Sequence, residues 1–153
     1  MDQASRTPAG DAFSGLVVRL FRLNGLLAAD GERLTRPAGQ TAARWQVLAA
    51  LEDQPATVAG IARTLGLARQ SVQRVADALE ASRLVAFVDN PSHRRARLAT
   101  LTPDGRRVLG EIQAAQRPWA DALGAAVGER DVTRLNDLLD RVSRAMMSRA
   151  PGR

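Results

Sequence analysis

The stretch Val85 to Thr102, VAFVDNPSHRRARLATLT, restricts most strongly what this chain can fold into. Two short apolar runs, Leu84–Val88 and Arg97–Leu101, flank a turn-rich tip, Asn90-Pro91-Ser92-His93-Arg94-Arg95-Ala96-Arg97. The tip holds three arginines, the chain's single histidine and no acid. Short apolar runs around a turn cluster predict a two-stranded hairpin. Directly before it, Arg69 to Ser82 has helical spacing, with Val72, Val75, Ala76 and Leu79 on one stripe. Before that helix, Thr57 is placed to cap a short helix from Val58 to Leu65, with Ile61, Ala62 and Leu65 inward, and Gly66-Leu67 forms a tight turn.

Two short helices joined by a glycine turn, then a hairpin with a cationic tip, predict a winged helix-turn-helix. In such a unit the second helix enters the major groove of a DNA duplex and the hairpin reaches neighbouring phosphates or the minor groove. Opposite the apolar stripe, the second helix carries Arg69, Gln70, Gln73, Arg74 and Asp77. Arginine pairs with guanine edges and glutamine with adenine, so Arg69, Gln70, Gln73 and Arg74 are the expected base readers. Ser71, at the shoulder, is expected on a phosphate. In the hairpin, Arg94, Arg95 and Arg97 are the expected contacts. Successive strand residues face opposite ways, so Arg95 is assigned to the groove and Arg94 to the backbone or an acid. His93 is read as exposed and incidental.

Charge distribution agrees. All 22 basic residues are arginine, against 16 acids. Residues 57–103 hold seven of those arginines against Asp77, Glu80 and Asp89, a local footprint for a polyanion. Cysteine is absent, which excludes disulfides, thiol chemistry and Cys-based zinc sites. With one histidine, no metal site and no cofactor is expected. No Gly-rich phosphate loop, apolar carboxylate pair or serine elbow is found, so an enzyme is not expected. No signal peptide and no apolar run approaching about 18 residues is read. The expectation is a soluble cytoplasmic protein with no membrane partner.

The remaining chain reads as helix. Residues 1–10 are expected to be a frayed tail. A helix from Asp11 to Ala29 presents Phe13, Leu16, Val17, Leu20, Leu23 and Leu27, stopped by Asp30-Gly31, with a linker Glu32–Gln40. Thr41 caps a helix Ala42–Asp53 whose inward face is Trp45, Leu48, Ala49 and Leu51 or Glu52. Thr102-Pro103-Asp104 starts a long helix on which Val108, Ile112, Ala115, Trp119, Leu123 and Val127 fall in steps of three and four. Pro118 predicts a kink or break near Ala114–Arg117. After Gly128, a last helix Glu129–Met147 has Val132, Leu135, Leu138, Leu139, Val142 and Met146 inward. The outer stripes are too long for the small unit and need a partner, for which a second copy is the expectation. The fold class is mainly α with a small two-stranded β-wing. Residues 1–40 and 103–153 form a helical dimerisation region, and residues 41–102 a winged helix-turn-helix DNA-binding region.

The segments ARWQVLAAL (43–51), TVAGIARTLGLARQSVQRVADALEASRLV (57–85) and DNPSHRRARLATLT (89–102) resemble the MarR family of bacterial transcriptional regulators. Leu84-Val85, Arg95 and Leu101-Thr102 sit at that family's characteristic places, and the element order matches over nearly the whole chain. The resemblance implies a homodimer joined by its terminal helices, acting as a repressor on a pseudo-palindromic operator. The helix 69–82 would lie in the major groove and the wing 89–97 on the adjacent minor groove or backbone. It also implies release by a small aromatic or phenolic ligand, for which Phe13, Phe21, Arg44, Trp45 and Trp119 are the candidates. Such a switch would change the separation of the two recognition helices, about 34 Å for successive major grooves.

Three positions depart from the family pattern. His93 replaces the wing aspartate, so either Arg95 is less fixed or Asp89 substitutes as its brace. Ala68 replaces the Ser or Thr that caps the recognition helix, a loss of about 1 kcal/mol. Arg83 replaces the glycine after it, so the helix is expected to end without a positive φ there. The competing readings are a non-specific architectural DNA binder, marked by sequence-independent and salt-dependent affinity, and a winged-helix protein-interaction module.

Overall fold

In a computed structural model, residues 7–93 and 95–149 are described. They form six α-helices and one two-stranded sheet: α1 Pro8–Thr35, α2 Ala42–Ala50, α3 Val58–Leu65, α4 Arg69–Ala81, β1 Val85–Val88, β2 Leu98–Leu101, α5 Pro103–Val127 and α6 Glu129–Arg149. The chain divides into two compact units, one ending at Ile112 and one beginning at Gln113.

The helix α1 is longer at both ends than its apolar spacing suggests. Thr7 Oγ1 accepts from Gly10 N, Pro8 takes the first helical turn and Asp11 lies at the positive end of the dipole. Asp30-Gly31 does not stop it. Asp30 pairs with Arg33 at 2.9 Å. Gly31 is buried, and a Cβ there would lie 3.0 Å from Ala42 Cβ. This glycine serves close approach to α2. The helix ends instead at Arg36-Pro37, in a 3-10 turn closed by Gly39 at φ 65°. Across that turn, Glu32 Oε1 accepts from Ala42 N at 3.0 Å.

The helix α2 stops at Ala50, short of Asp53, because Leu51 leaves helical geometry. Its inward face is Val47, Leu48 and Leu51, with Trp45 packed beside them. Ala49 and Glu52 are exposed. The face centres on Leu48, and Ala49 is rotated about 100° away from it.

The helix α3 has the expected bounds, capped by Thr57 Oγ1 and ended by Gly66 at φ 66°. Its Ile61 and Ala62 join Val72, Ala76 and Leu79 of α4 in the core. The strands pair antiparallel, Val85 opposite Leu101 and Val88 opposite Leu98. Ala56 adds a bridge to Ala99 through two backbone hydrogen bonds, 3.1 and 2.8 Å, tying the hairpin to the residue before the α3 cap. Ala99 and Leu101 bury one face of β2, as period-two alternation requires.

Arg83 does adopt a positive φ, 60°, the sole such non-glycine residue among those described. The helix α4 closes through Arg83 N to Glu80 O at 2.8 Å and Leu84 N to Leu79 O at 2.9 Å. That is a Schellman closure, with Leu79 and Leu84 both in the core. Thr102 then returns to the same turn. Its N–H donates to Leu84 O (3.1 Å) and its hydroxyl to Arg83 O (2.7 Å). A Cβ on Gly105 would fall 2.0 Å from Leu84 O, so α5 starts against backbone.

Val108, Leu109 and Ile112 of α5 belong to this core. The helix runs unbroken through Pro118 to Val127. One missing N–H leaves the Ala114 carbonyl without its helical donor, yet it does not interrupt the element. In the second unit, α6 buries no residue, and Leu135, Leu138 and Met146 stand exposed. In the first, Phe13, Val18, Phe21, Leu23, Leu26 and Leu27 of α1 are also exposed. The span Pro8–Ala38 holds an 18-residue window of mean hydropathy 1.4, none of it buried. By length and composition it is apolar enough to cross a bilayer, beyond what the sequence reading allowed.

The ends of α4 generate a stability prediction. Ala68 has cap geometry, φ −66° and ψ 134°, but no side-chain cap. Ala68→Ser is expected to raise unfolding free energy by about 1 kcal/mol. Arg83→Gly is expected to raise it by up to about 1 kcal/mol, since a left-handed non-glycine residue is strained. Gly105→Ala is expected to lower it by about 2–3 kcal/mol. Urea melts followed by circular dichroism check all three. A stabilised Gly105→Ala, or a destabilised Arg83→Gly, would contradict this description of the turn.

Candidate nucleic-acid interface

The core fixes which side of α4 faces out. With Val72, Ala76 and Leu79 buried, Arg69, Gln70 and Arg74 are exposed on the first two turns. Ser71 is half-buried on the shoulder, and Gln73 is half-buried. Gln73 Nε2 donates to Asp77 Oδ1 at 2.7 Å. The N-terminus of α4 has no capping side chain, and the free N–H groups of a helix start favour a phosphate.

Two turns build the wing tip. Asn90 Oδ1 accepts from Ser92 N at 3.0 Å, Asn90 O from His93 N at 3.2 Å, and His93 O from Ala96 N at 3.1 Å. His93 and Arg95 are exposed. Arg94 lies outside the described residues. Among the described residues Arg95 makes no ion pair with Asp89, so the expected brace does not form. Arg97 is committed elsewhere. Its guanidinium sits 5.6 Å from the centroid of the Phe87 ring and donates to Phe87 O. This cation–π and backbone contact ties the start of β2 to β1 across the hairpin.

The wing and α4 enclose an open cavity of about 290 Å³. Arg69, Gln73 and Asp77 line one side and Arg95 and Arg97 the other, with Thr57 at the α3 cap. The structure thus gathers Arg69, Gln73, Arg95 and Arg97 around one groove, while Gln70, Ser71 and Arg74 do not line it.

The ligand candidates differ in their surroundings. Phe13 and Phe21 are exposed on α1, 44% and 73% accessible. Trp45 packs on the core and Trp119 is half-buried in the second unit. Arg44 reaches the far end of α4. Its Nη2 donates to Ala78 O at 2.8 Å and to Ser82 Oγ, while its Nε is buried without a partner. A cation at a helix C-terminus satisfies orphan carbonyls and complements the dipole. Arg44 therefore anchors the C-terminal end of α4 from α2. Sequence spacing carries no signal for a contact across 34 residues. The Gln73–Asp77 pair does carry one, at i,i+4.

A helix-turn-helix whose outer helix opens on two acid-free turns carrying Arg69 and Arg74, followed by a basic wing, defines the winged-helix class of DNA-binding transcription regulators. Residues 38–96 match the MarR family model. The chain belongs to the MarR family. It is 38% identical over 141 residues to an uncharacterized protein of Mycobacterium tuberculosis, covering 92% of this chain and 99% of that one. It is 33% identical over 97 residues to the transcriptional activatory protein BadR of Rhodopseudomonas palustris, spanning 61% of this chain and 55% of BadR. Among solved structures it is similar to the transcriptional repressor CouR bound to a 23-mer DNA duplex, with 27% identity, TM-score 0.75, 91% of this chain and 99% of that chain covered. CouR from Rhodococcus jostii RHA1 has also been solved with p-coumaroyl-CoA, with 24% identity, TM-score 0.76 and coverage of 90% and 95%.

Arg44→Ala is expected to destabilise the chain by about 1 kcal/mol, through loss of charge-assisted bonds at a partly exposed site. Arg44→Lys should recover only part, since one ammonium cannot reproduce the planar fork. Thermal melts of both variants check this. Equal stability of Arg44→Ala and the parent chain would remove Arg44 as an anchor.

Proposed function

We propose that this chain is a homodimeric, sequence-specific DNA-binding transcriptional repressor and carries no enzymatic activity. The carrying observation is the convergence of Arg69, Gln73 and Arg95 on one groove between α4 and the wing. The recognition helix 69–82 enters the major groove, with Arg69, Gln70, Gln73 and Arg74 at base edges and Ser71 on a phosphate. The wing 89–97 lies on the adjacent minor groove or backbone, with Arg95 in the groove and Arg94 along the backbone or paired with an acid.

The apolar faces of α1 and α6 support the dimer. Exposed Phe13, Phe21, Leu26 and Leu27 around one, and the stripe of Leu135, Leu138 and Met146 on the other, are apolar surface of the kind a second copy covers. We assign residues 1–40 and 103–153 to that contact and 41–102 to DNA. Two-fold pairing then reads a pseudo-palindrome with half-sites about one helical turn apart. A small aromatic or phenolic effector that relieves repression is supported by the p-coumaroyl-CoA bound to CouR, and Phe13, Phe21, Arg44 and Trp45 remain the residues assigned to it.

Fluorescence anisotropy against duplexes tiled across the intergenic region beside the gene, with scrambled controls at two salt concentrations, tests the reading. One palindromic tile is expected to bind tightly, at two chains per duplex. Arg74→Ala and Arg95→Ala should each weaken it roughly tenfold, the scale of one good base contact. Equal affinity for every tile would establish an architectural binder, and no binding at low salt would overturn the DNA reading.

A further inference from the structure

We propose that Asp77 is a positioning residue that turns Gln73 into a reader of adenine. The inference rests on the DNA reading above and deepens it.

A glutamine side chain in a major groove is not intrinsically loyal to one base. Its amide offers one acceptor and two N–H donors. Presented by its oxygen and one N–H, it matches adenine, which shows the N7 acceptor and the N6 amino donor. Presented by both N–H groups, it matches guanine, which shows two acceptors, N7 and O6. What holds the amide decides which edge the DNA meets.

Here Gln73 is held. Its Nε2 lies 2.7 Å from Asp77 Oδ1, one helical turn along α4. An ionised carboxylate only accepts, so the amide nitrogen must face it. The reversed amide would set two lone-pair-bearing oxygens against each other at that distance. One N–H of Gln73 is thereby consumed. One N–H and Oε1 remain for the groove that Gln73 lines opposite Arg95. The two-donor presentation to guanine is removed and the adenine pattern is left.

Asp77 is itself exposed and outside the core, so its removal leaves the packing of α4 intact. Its charge also repels the duplex. A variant without it is expected to bind every sequence at least as tightly while losing one element of discrimination. A pair that only stabilises the helix would instead shift the melting temperature and leave base preference untouched.

The experiment selects duplexes from a random library with the full chain and with Gln73→Ala, Asp77→Ala and Asp77→Glu. Anisotropy then measures each protein on the selected site and on the same site with A·T changed to G·C at the pair where Gln73→Ala loses its preference. The parent chain is expected to prefer A·T there by roughly 5- to 100-fold. Asp77→Ala should fall below about twofold, with preferences at other positions and the melting temperature retained. Asp77→Glu, still an acceptor, should keep most of the preference. Full discrimination in Asp77→Ala overturns the proposal, as does a Gln73→Ala variant with unchanged preferences. A parent chain that selects no sequence at all overturns the sequence-specific reading beneath it.

Discussion

The turn at Arg83-Leu84 is the constraint on which the unit of α4, the wing and the start of α5 depends. Leu84 N closes α4 onto Leu79 O, and Leu84 O accepts from Thr102 N. Gly105 leaves no space beside that oxygen. One residue, Leu84, therefore fixes the end of α4, the start of the wing and the start of α5 together. Leu79, Leu84, Val85 and Leu101 close the same point with apolar contact. The cost is an arginine held at φ 60°. It is offset by the backbone hydrogen bonds of the closure, at a position where glycine would carry no such strain.

From that turn outward, the arginines divide by role. Arg44 holds the C-terminal end of α4, and Arg97 holds the wing against Phe87. Both are spent on positioning. Arg69, Arg74 and Arg95 keep exposed side chains on the outer surface. Two arginines used as fasteners and three presented outward make a basic surface that is preorganised. Preorganisation lowers the entropy lost on docking a duplex.

The legible parts of the sequence were those with local causes. The bounds of α3 follow from Thr57 and Gly66, a cap and a left-handed stop lying beside the helix they bound. The wing followed from two apolar runs around a turn cluster, and α4's buried stripe from simple periodicity. Where one residue type serves two ends, the reading failed. Gly31 looked like a terminator but is a contact point for Ala42. Thr7-Pro8 with Asp11 opens α1 by the same chemistry as Thr102-Pro103-Asp104, yet lay in a stretch that looked like a tail. Ala49 was placed inward by counting from Trp45, although the face centres on Leu48. The anchors Arg44–Ala78 and Arg97–Phe87 depend on tertiary placement and strand register, and no linear spacing encodes them. Of the proposed DNA contacts, the α4 face was legible because burial of one stripe dictates the other. The commitment of Arg97 to Phe87 was not.

Amide hydrogen exchange of the full chain, with and without its selected duplex, tests the central claim most directly, that α4 and the wing form the DNA-binding surface. The account predicts slowed exchange across the α3–α4 turn, the first two turns of α4 and residues 89–97, with α6 unchanged by DNA. Slowing confined to α1 or α6, with the α4 N-terminus and wing unaffected, would contradict it.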